Sequence, residues 1–288
     1  MVPTPFSADG TAVDHHSLAA LVTELVRRGV SGLVAMGVIA EPRALTSSER
    51  LTALETIVAS SGDLPLCIGL TEPEHRDRVR EAERMSDIGS GRDLSILIPV
   101  TTPDARLLRA QWSDIYDRTG ASLIVQDYPA ASGITIELAE LADAVRGLHF
   151  IEAVKSEAPP TFWRIHHLSE SIGVPCMAGL GGISLIDELE CGASSVACGI
   201  SRPEVVRRAL TQWVAGDSQK ARATMSEIAS LINFEIQAKT SIAIRKEHWR
   251  RQGVISSSAV RAPSYPYDPF LDRCSTAHGF PRLETALR

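Results

Sequence analysis

The sequence predicts a (β/α)8 barrel with a C-terminal helical extension, an α/β fold, on three observations. Short apolar runs alternate with amphipathic segments eight times along the chain. The runs return at roughly thirty-residue intervals, the size of one strand–helix unit. They are continuously apolar, as parallel strands covered on both faces are. They fall at 2–6, 32–37, 65–70, 94–100, 122–128, 149–155, 174–180 and 194–200. The 288 residues hold one barrel of roughly 250 residues and a short addition.

The helices between the runs carry their own signals. Asp14 can cap a helix whose Leu18, Leu21, Val22 and Leu25 form one apolar stripe. Thr46 and Glu49 have capping-box spacing ahead of Leu51, Leu54 and Ile57. Further helices are predicted over 76–88, 104–118, 136–146, 161–170, 184–191 and 203–215. Units of this kind in series favour a closed barrel over an open doubly wound sheet. Past Gly216 the rhythm changes: 218–236 and 239–252 read as helices with no strand between them, and a short helical turn is expected near Leu271. The predicted division is therefore a barrel over 1–216 and a helical region over 217–288. The chain starts almost inside its first run, as an upstream start codon would produce.

Composition narrows the function. A net charge of −6 argues against nucleic acid, whose binding needs clustered positive charge. Arg245–Lys246 with Arg250–Arg251 is the nearest to a basic cluster and reads as a solvated or subunit-contact face. Five cysteines form no CxxC pair, and four lie in or beside apolar runs, where cysteine behaves as a small hydrophobe. No apolar run reaches membrane-spanning length, and the first residues do not have the pattern of an export signal. A soluble, cytoplasmic protein without nucleic-acid or membrane partners is expected. The histidines show no metal spacing: His15–His16 and His166–His167 are neighbours that should diverge on a helix. No metal site is expected.

One lysine stands apart. The chain has four, and Lys155 alone lies in the first 200 residues. It ends the sixth predicted run, and strand C-termini open onto the active site in such barrels. An apolar setting favours the neutral amine, which can attack a ketone and form an imine. The alternative is a surface lysine, or one paired with Glu152 or Glu157.

A set of motifs runs through the chain: Thr4–Pro5–Phe6 with Asp9–Gly10 and Asp14, Gly37–Val38–Ile39–Ala40–Glu41, Leu45–Thr46 with Glu49–Arg50, Asp127–Tyr128–Pro129 with Ser132–Gly133, Lys155, and Gly179 ahead of Gly192–Ala193. In order and spacing it resembles the dihydrodipicolinate synthase / N-acetylneuraminate lyase family of class I Schiff-base aldolases, over essentially the whole length. The resemblance implies a barrel with a helical C-terminal domain, a dimer or tetramer, and a Schiff-base lysine at Lys155.

Departures from the family pattern mark a side branch. The hydroxyls of the family's second-strand loop are replaced by Val38 and Ile39, with Ala40 in place of a glycine. Backbone amides there can still seat a carboxylate. Where the family has a Pro-Tyr-Tyr strand end, this chain has Pro99–Val100–Thr101. The acid/base tyrosine falls on Gln126, which cannot take a proton at neutral pH. Tyr128, two residues on in the same predicted strand, points to the same side and reaches the same cavity from a shifted place; its plain alternative is packing beside Pro129. The family's carboxylate-binding arginine falls on Ala131, so true dihydrodipicolinate synthase activity is not expected. Val38, Ile39 and Val100 suit a less polar substrate.

The expected activity is a lyase, an aldolase or a hydratase/dehydratase, acting on pyruvate or another 2-oxo acid without a cofactor beyond the imine on Lys155. Tyr128, or a water held by Gln126, would move protons. The 38–41 backbone, Thr101 and Gly179 would line the substrate site. Glu41 reads first as a holder of loop amides and second as a general base. The glycines at 179, 181 and 182 fit pocket backbone, a tight turn or a phosphate loop. Two other functions stay open: a non-catalytic binding or regulatory relative that lost its proton relay, and a phosphate-binding barrel isomerase.

Overall fold

The computed structural model describes residues 1–282. Helix α1 (His15–Arg27) precedes β1 (Leu33–Ala35), followed by α2 (Ser47–Ser60), β2 (Leu66–Gly69) and α3 (His75–Ile88). Next come β3 (Leu94–Pro99), α4 (Ala105–Thr119), β4 (Ser122–Asp127), a single turn α5 (Pro129–Ser132) and α6 (Leu138–Val145). Then follow β5 (Ile151–Ser156), α7 (Thr161–Ser171), β6 (Cys176–Ala178), α8 (Leu185–Glu190) and β7 (Ala193–Val196). The chain continues with α9 (Pro203–Val214), α10 (Ser218–Ser226), α11 (Ala229–Glu235), α12 (Ser241–Arg251) and α13 (Asp272–Ala277).

The strands form one seven-stranded sheet in strictly sequential order, every pair parallel. A doubly wound sheet reverses its strand order at a switch point; this one does not. The first predicted run, 2–6, joins no ladder among the described residues and makes only one antiparallel bridge, Phe6 to Val13. Pro3 and Pro5 explain this, since neither has an amide proton to give a ladder.

The local signals work as read. Asp14 accepts from the Ser17 amide, and Thr46 and Glu49 complete both halves of the capping box. The predicted helix over 218–236 divides into α10 and α11, because Ile228 leaves helical geometry at φ −118° and ψ 7°. The turn near Leu271 is present as a 3-10 turn over Pro269–Leu271 running into α13. Among the described residues, no helix is long and apolar enough to cross a membrane.

The chain clusters into two compact units. The first comprises Met1, Ser31–Val38 and Asp63–Cys198, and so holds the sheet with α3 to α8. On one face of its sheet Cys67, Leu97, Ile124 and Ala153 pack together, flanked by Val34 and Met177. The second comprises Val2–Val30, Ile39–Gly62 and the chain from Gly199 onward. Here the expected solvated basic face is overturned. Arg245, Lys246 and Arg251 are buried. Lys246 pairs with Glu41 and lies over the Phe6 ring, while Arg251 pairs with Glu247 and Asp272. Each cation has an acidic partner, which is what makes its burial tolerable.

Candidate active site around Lys155

Strand alternation sets the site. Leu97, Ile124 and Ala153 are in register and face the apolar cluster. Two residues further along each strand come Pro99, Gln126 and Lys155, again in register, with Met177 beside Lys155. Residues two apart share a face, so Gln126 and Lys155 stand side by side just above an apolar floor. Their neighbours in sequence, Asp127 and Ser156, point the other way. There Arg164 of α7 donates to Asp127 Oδ2 through Nε at 2.9 Å.

Lys155 is 1% exposed, which removes the surface-lysine alternative. The pairing alternative is realised. Nζ forms an ion pair with Oε2 of Glu157, though without the alignment of a hydrogen bond. Glu157, itself buried, is held on three sides. Gln126 Nε2 donates to its Oε2 at 2.7 Å, the Leu180 amide donates to its Oε1 at 3.0 Å, and its own amide donates to the Asp127 carbonyl at 2.8 Å. A Cβ on Gly179 would lie 2.5 Å from Glu157 Cδ, so this glycine is needed for close approach. Leu180 has φ +45°, a conformation unfavourable for leucine and held here by the bond to Glu157.

A second acid lies near. Glu188 of α8 is fully buried; it accepts from the Thr161 hydroxyl through Oε1, and Oε2 has no partner among the described residues. Burial pushes its carboxyl up, towards the neutral acid. Cys67 in the floor is likewise pushed up by burial, to about 12, and is an inert thiol at neutral pH.

The remaining predicted site residues divide. Gly179 and Gln126 meet at Glu157, as described. The Thr101 hydroxyl donates to Gln111 Oε1 of α4 at 3.1 Å, so that donor already serves the helix. Tyr128 is not the next inward residue of its strand. β4 ends at Asp127, and Tyr128 caps α5 with φ −135° and ψ 82°, so two-residue alternation no longer describes it. Residues Val38, Ile39 and Ala40 form a 3-10 turn in which Val38 is exposed and the other two are buried. Glu41 accepts from the Arg261 amide at 2.8 Å and pairs with Lys246, the amide-holding role. Sequence reasoning missed Glu157 as a site residue. The signal that identifies it is the i, i+2 spacing from Lys155.

The histidine expectation also needs correcting. His166 and His167 do not diverge: one ligand atom from each, together with one from Glu170, lies within 4.8 Å of the others. These residues of α7 are exposed or half-buried and are the set among the described residues that a metal ion could bridge.

Comparison with known proteins identifies the family and the fold. Residues 1–269 match the model of the dihydrodipicolinate synthetase family, and the chain belongs to that family. Two relatives resemble it equally. The 4-hydroxy-tetrahydrodipicolinate synthase of Kineococcus radiotolerans is 26% identical over 273 residues, 93% of this chain and 87% of its own. The L-2-keto-3-deoxyarabonate dehydratase of Azospirillum brasilense is 26% identical over 272 residues, 91% of this chain and 86% of its own. Among solved structures, the dihydrodipicolinate synthase of Rhodopseudomonas palustris superposes with a TM-score of 0.86 at 22% identity, covering 96% of this chain and 94% of its own. The fold is thus a TIM-barrel-like α/β fold.

Proposed function

We propose that this chain is a lyase that holds a 2-oxo acid, pyruvate or a relative of it, as an imine on Lys155. The observation that carries the reading is a buried primary amine at the C-terminal end of a parallel strand, above an apolar floor, with hydrogen-bonding capacity left over. An ammonium offers three donors, and leaving them unanswered in the interior is costly. A substrate carbonyl and carboxylate would answer them. The imine supplies the electron sink, so the reaction needs no cofactor.

The named relatives catalyse different reactions at equal identity, so the choice between them falls to the site. Val38, Ile39, Gln126 and Ala131 stand where the synthase pattern has polar or ionisable groups, which argues against dihydrodipicolinate synthesis and for a less polar 2-oxo acid. An aldol cleavage or a dehydration fits. Gly179 and Val38 line the substrate's path, with Thr101 and Tyr128 further out. We read 1–216 as a closed barrel and the chain from 217 as its helical extension; residues 283–288 lie outside the described residues. The sequential strand order supports this. The protein is read as a cytoplasmic dimer or tetramer.

The ion pair with Glu157 favours one other reading, a binding relative in which Lys155 is a salt-bridge partner only. The phosphate-barrel reading loses support, because the Leu180 amide of the glycine loop is already given to Glu157. Incubation with pyruvate and borohydride, followed by intact mass and peptide mapping, separates the two survivors. An adduct on Lys155, lost in Lys155→Arg, is the expected result. Thermal stabilisation by 2-oxo acids with no adduct would establish the binding relative instead.

A further inference from the structure

We infer that Glu157 is a catalytic residue of this site, the group that carries protons during imine formation on Lys155. The inference rests on the imine reading above and deepens it. Beside Lys155 in register stand Gln126 and Met177, neither of them ionisable. Gln126 stands where the family has its acid/base tyrosine and cannot take up a proton at neutral pH, and Tyr128 lies beyond the end of β4. The ionisable side chain in contact with Nζ is Glu157.

The surroundings of Glu157 are those of a positioned base. Oε1 is fixed by the Leu180 amide. Oε2, the oxygen that meets the amine, is fixed by Gln126 Nε2. Gly179 leaves the room the carboxylate needs, and Leu180 holds a left-handed φ to deliver its amide. A pair serving only to neutralise a buried lysine needs charge and proximity. Aiming it with a neutral amide, a strained loop amide and a glycine gap is what a group in a reaction requires.

The proton inventory closes. In the resting pair Lys155 is an ammonium and Glu157 a carboxylate. Glu157 takes one proton, and the freed amine pair attacks the ketone carbon; the N–C bond forms as the carbonyl π pair moves to oxygen. Glu157 returns its proton to that oxygen, giving a hydroxyl. It then removes a second proton from nitrogen and hands it to the hydroxyl. The C–O bond breaks, water leaves, and the nitrogen pair closes the protonated imine. One ammonium and one ketone yield one iminium and one water, and Glu157 ends as it began. Gln126 acts as a positioning residue by keeping Oε2 on the amine.

The test is the rate of borohydride trapping of pyruvate on Lys155 as a function of pH. Glu157→Gln keeps the shape and the Leu180 bond but cannot carry a proton. Its trapping rate should fall by about 100-fold or more, the lower end of what general acid–base catalysis contributes, and lose the wild-type pH profile. Glu157→Asp keeps the charge and withdraws it by one methylene, so it should trap at an intermediate rate with a displaced profile. It remains decisive should the glutamine variant fail to fold. Either folded variant trapping at the wild-type rate with the wild-type profile overturns the inference and leaves the imine reading intact. Wild-type protein that traps neither pyruvate, 2-oxobutanoate nor 2-oxoglutarate overturns the imine reading, and the inference with it.

Discussion

Gly179 and Glu157 fit together only because residue 179 has no side chain: a Cβ there would come within 2.5 Å of Glu157 Cδ. Glu157 cannot simply swing aside, because Gln126 and the Leu180 amide hold its two oxygens. Gly179→Ala should therefore push the carboxylate off Lys155 and cost stability by overpacking, about 1–3 kcal/mol. The trapping rate should fall at least tenfold while far-ultraviolet circular dichroism stays native. An alanine variant that traps and melts like the wild type would show that this contact is slack.

The row Pro99–Gln126–Lys155 was open to sequence reading because it depends on local period. Parallel strands appear as apolar runs, their C-terminal ends follow from direction, and a lysine in such a run is conspicuous. The absent strand at 2–6 was also written in the chain, in Pro3 and Pro5, whose missing donors count for more than the apolar character around them. Tertiary partners were less legible. Nothing near Lys246 announces that Glu41, 205 residues away, takes its charge into the interior, so a basic cluster looked like a surface. Tyr128 was misplaced for a different reason. Alternation was extended one residue past the strand's end, and Pro129, a favoured first residue of a helix, marks where it stops.

Lys246 gives a signed pH dependence. Burial lowers it from 10.5 to about 8, despite the opposing pull of Glu41. Between those two values the unfolded chain binds a proton that the folded chain does not, so stability rises with pH across this window. The full effect is on the order of 3 kcal/mol, at roughly 1.4 kcal/mol per unit. Denaturant unfolding of wild type and Lys246→Met at pH 7.5, 9 and 10 isolates it, since other titrations cancel in the difference. The wild-type advantage should grow with pH. A flat or shrinking difference would mean that the folded protein keeps the ammonium throughout.

Asp127 and Arg164 supply the structural counterpart on the opposite face of the sheet from Lys155. Arg164 Nη2 lies 2.8 Å from Asp127 Oδ2 and also donates to the Ile136 carbonyl at 3.2 Å. The pair thereby ties α7 to β4 and to the segment ahead of α6. Removing one partner leaves a buried, unpaired charge, so Arg164→Leu should cost about 3–5 kcal/mol. Asp127→Asn with Arg164→Leu removes both charges and should recover part of that loss. Calorimetry on the single and double variants reads the difference. A double variant less stable than the single would contradict the burial argument.

In the second unit, Ser275, His248 and Glu235 adopt the hydrogen-bond order of a nucleophile, a base and its orienting acid. His248 Nε2 lies 3.0 Å from Ser275 Oγ, and Nδ1 lies 2.6 Å from Glu235 Oε1. Chemistry is not expected there. All three residues are 0% exposed, the His248 ring is stacked on Phe280 with centroids 3.9 Å apart, and the Tyr267 hydroxyl lies 2.9 Å from Ser275 Oγ. Glu235 is committed further, accepting from the Ser201 amide at 3.1 Å. A fully satisfied network of this kind fixes packing, and cutting it leaves several buried groups unanswered. Glu235→Ala should accordingly lower the unfolding free energy by about 3 kcal/mol or more, whereas a fluorophosphonate probe should leave Ser275 unmodified in the native protein. Stoichiometric labelling of Ser275 under native conditions would show that the serine reaches solvent and that the network opens to do chemistry.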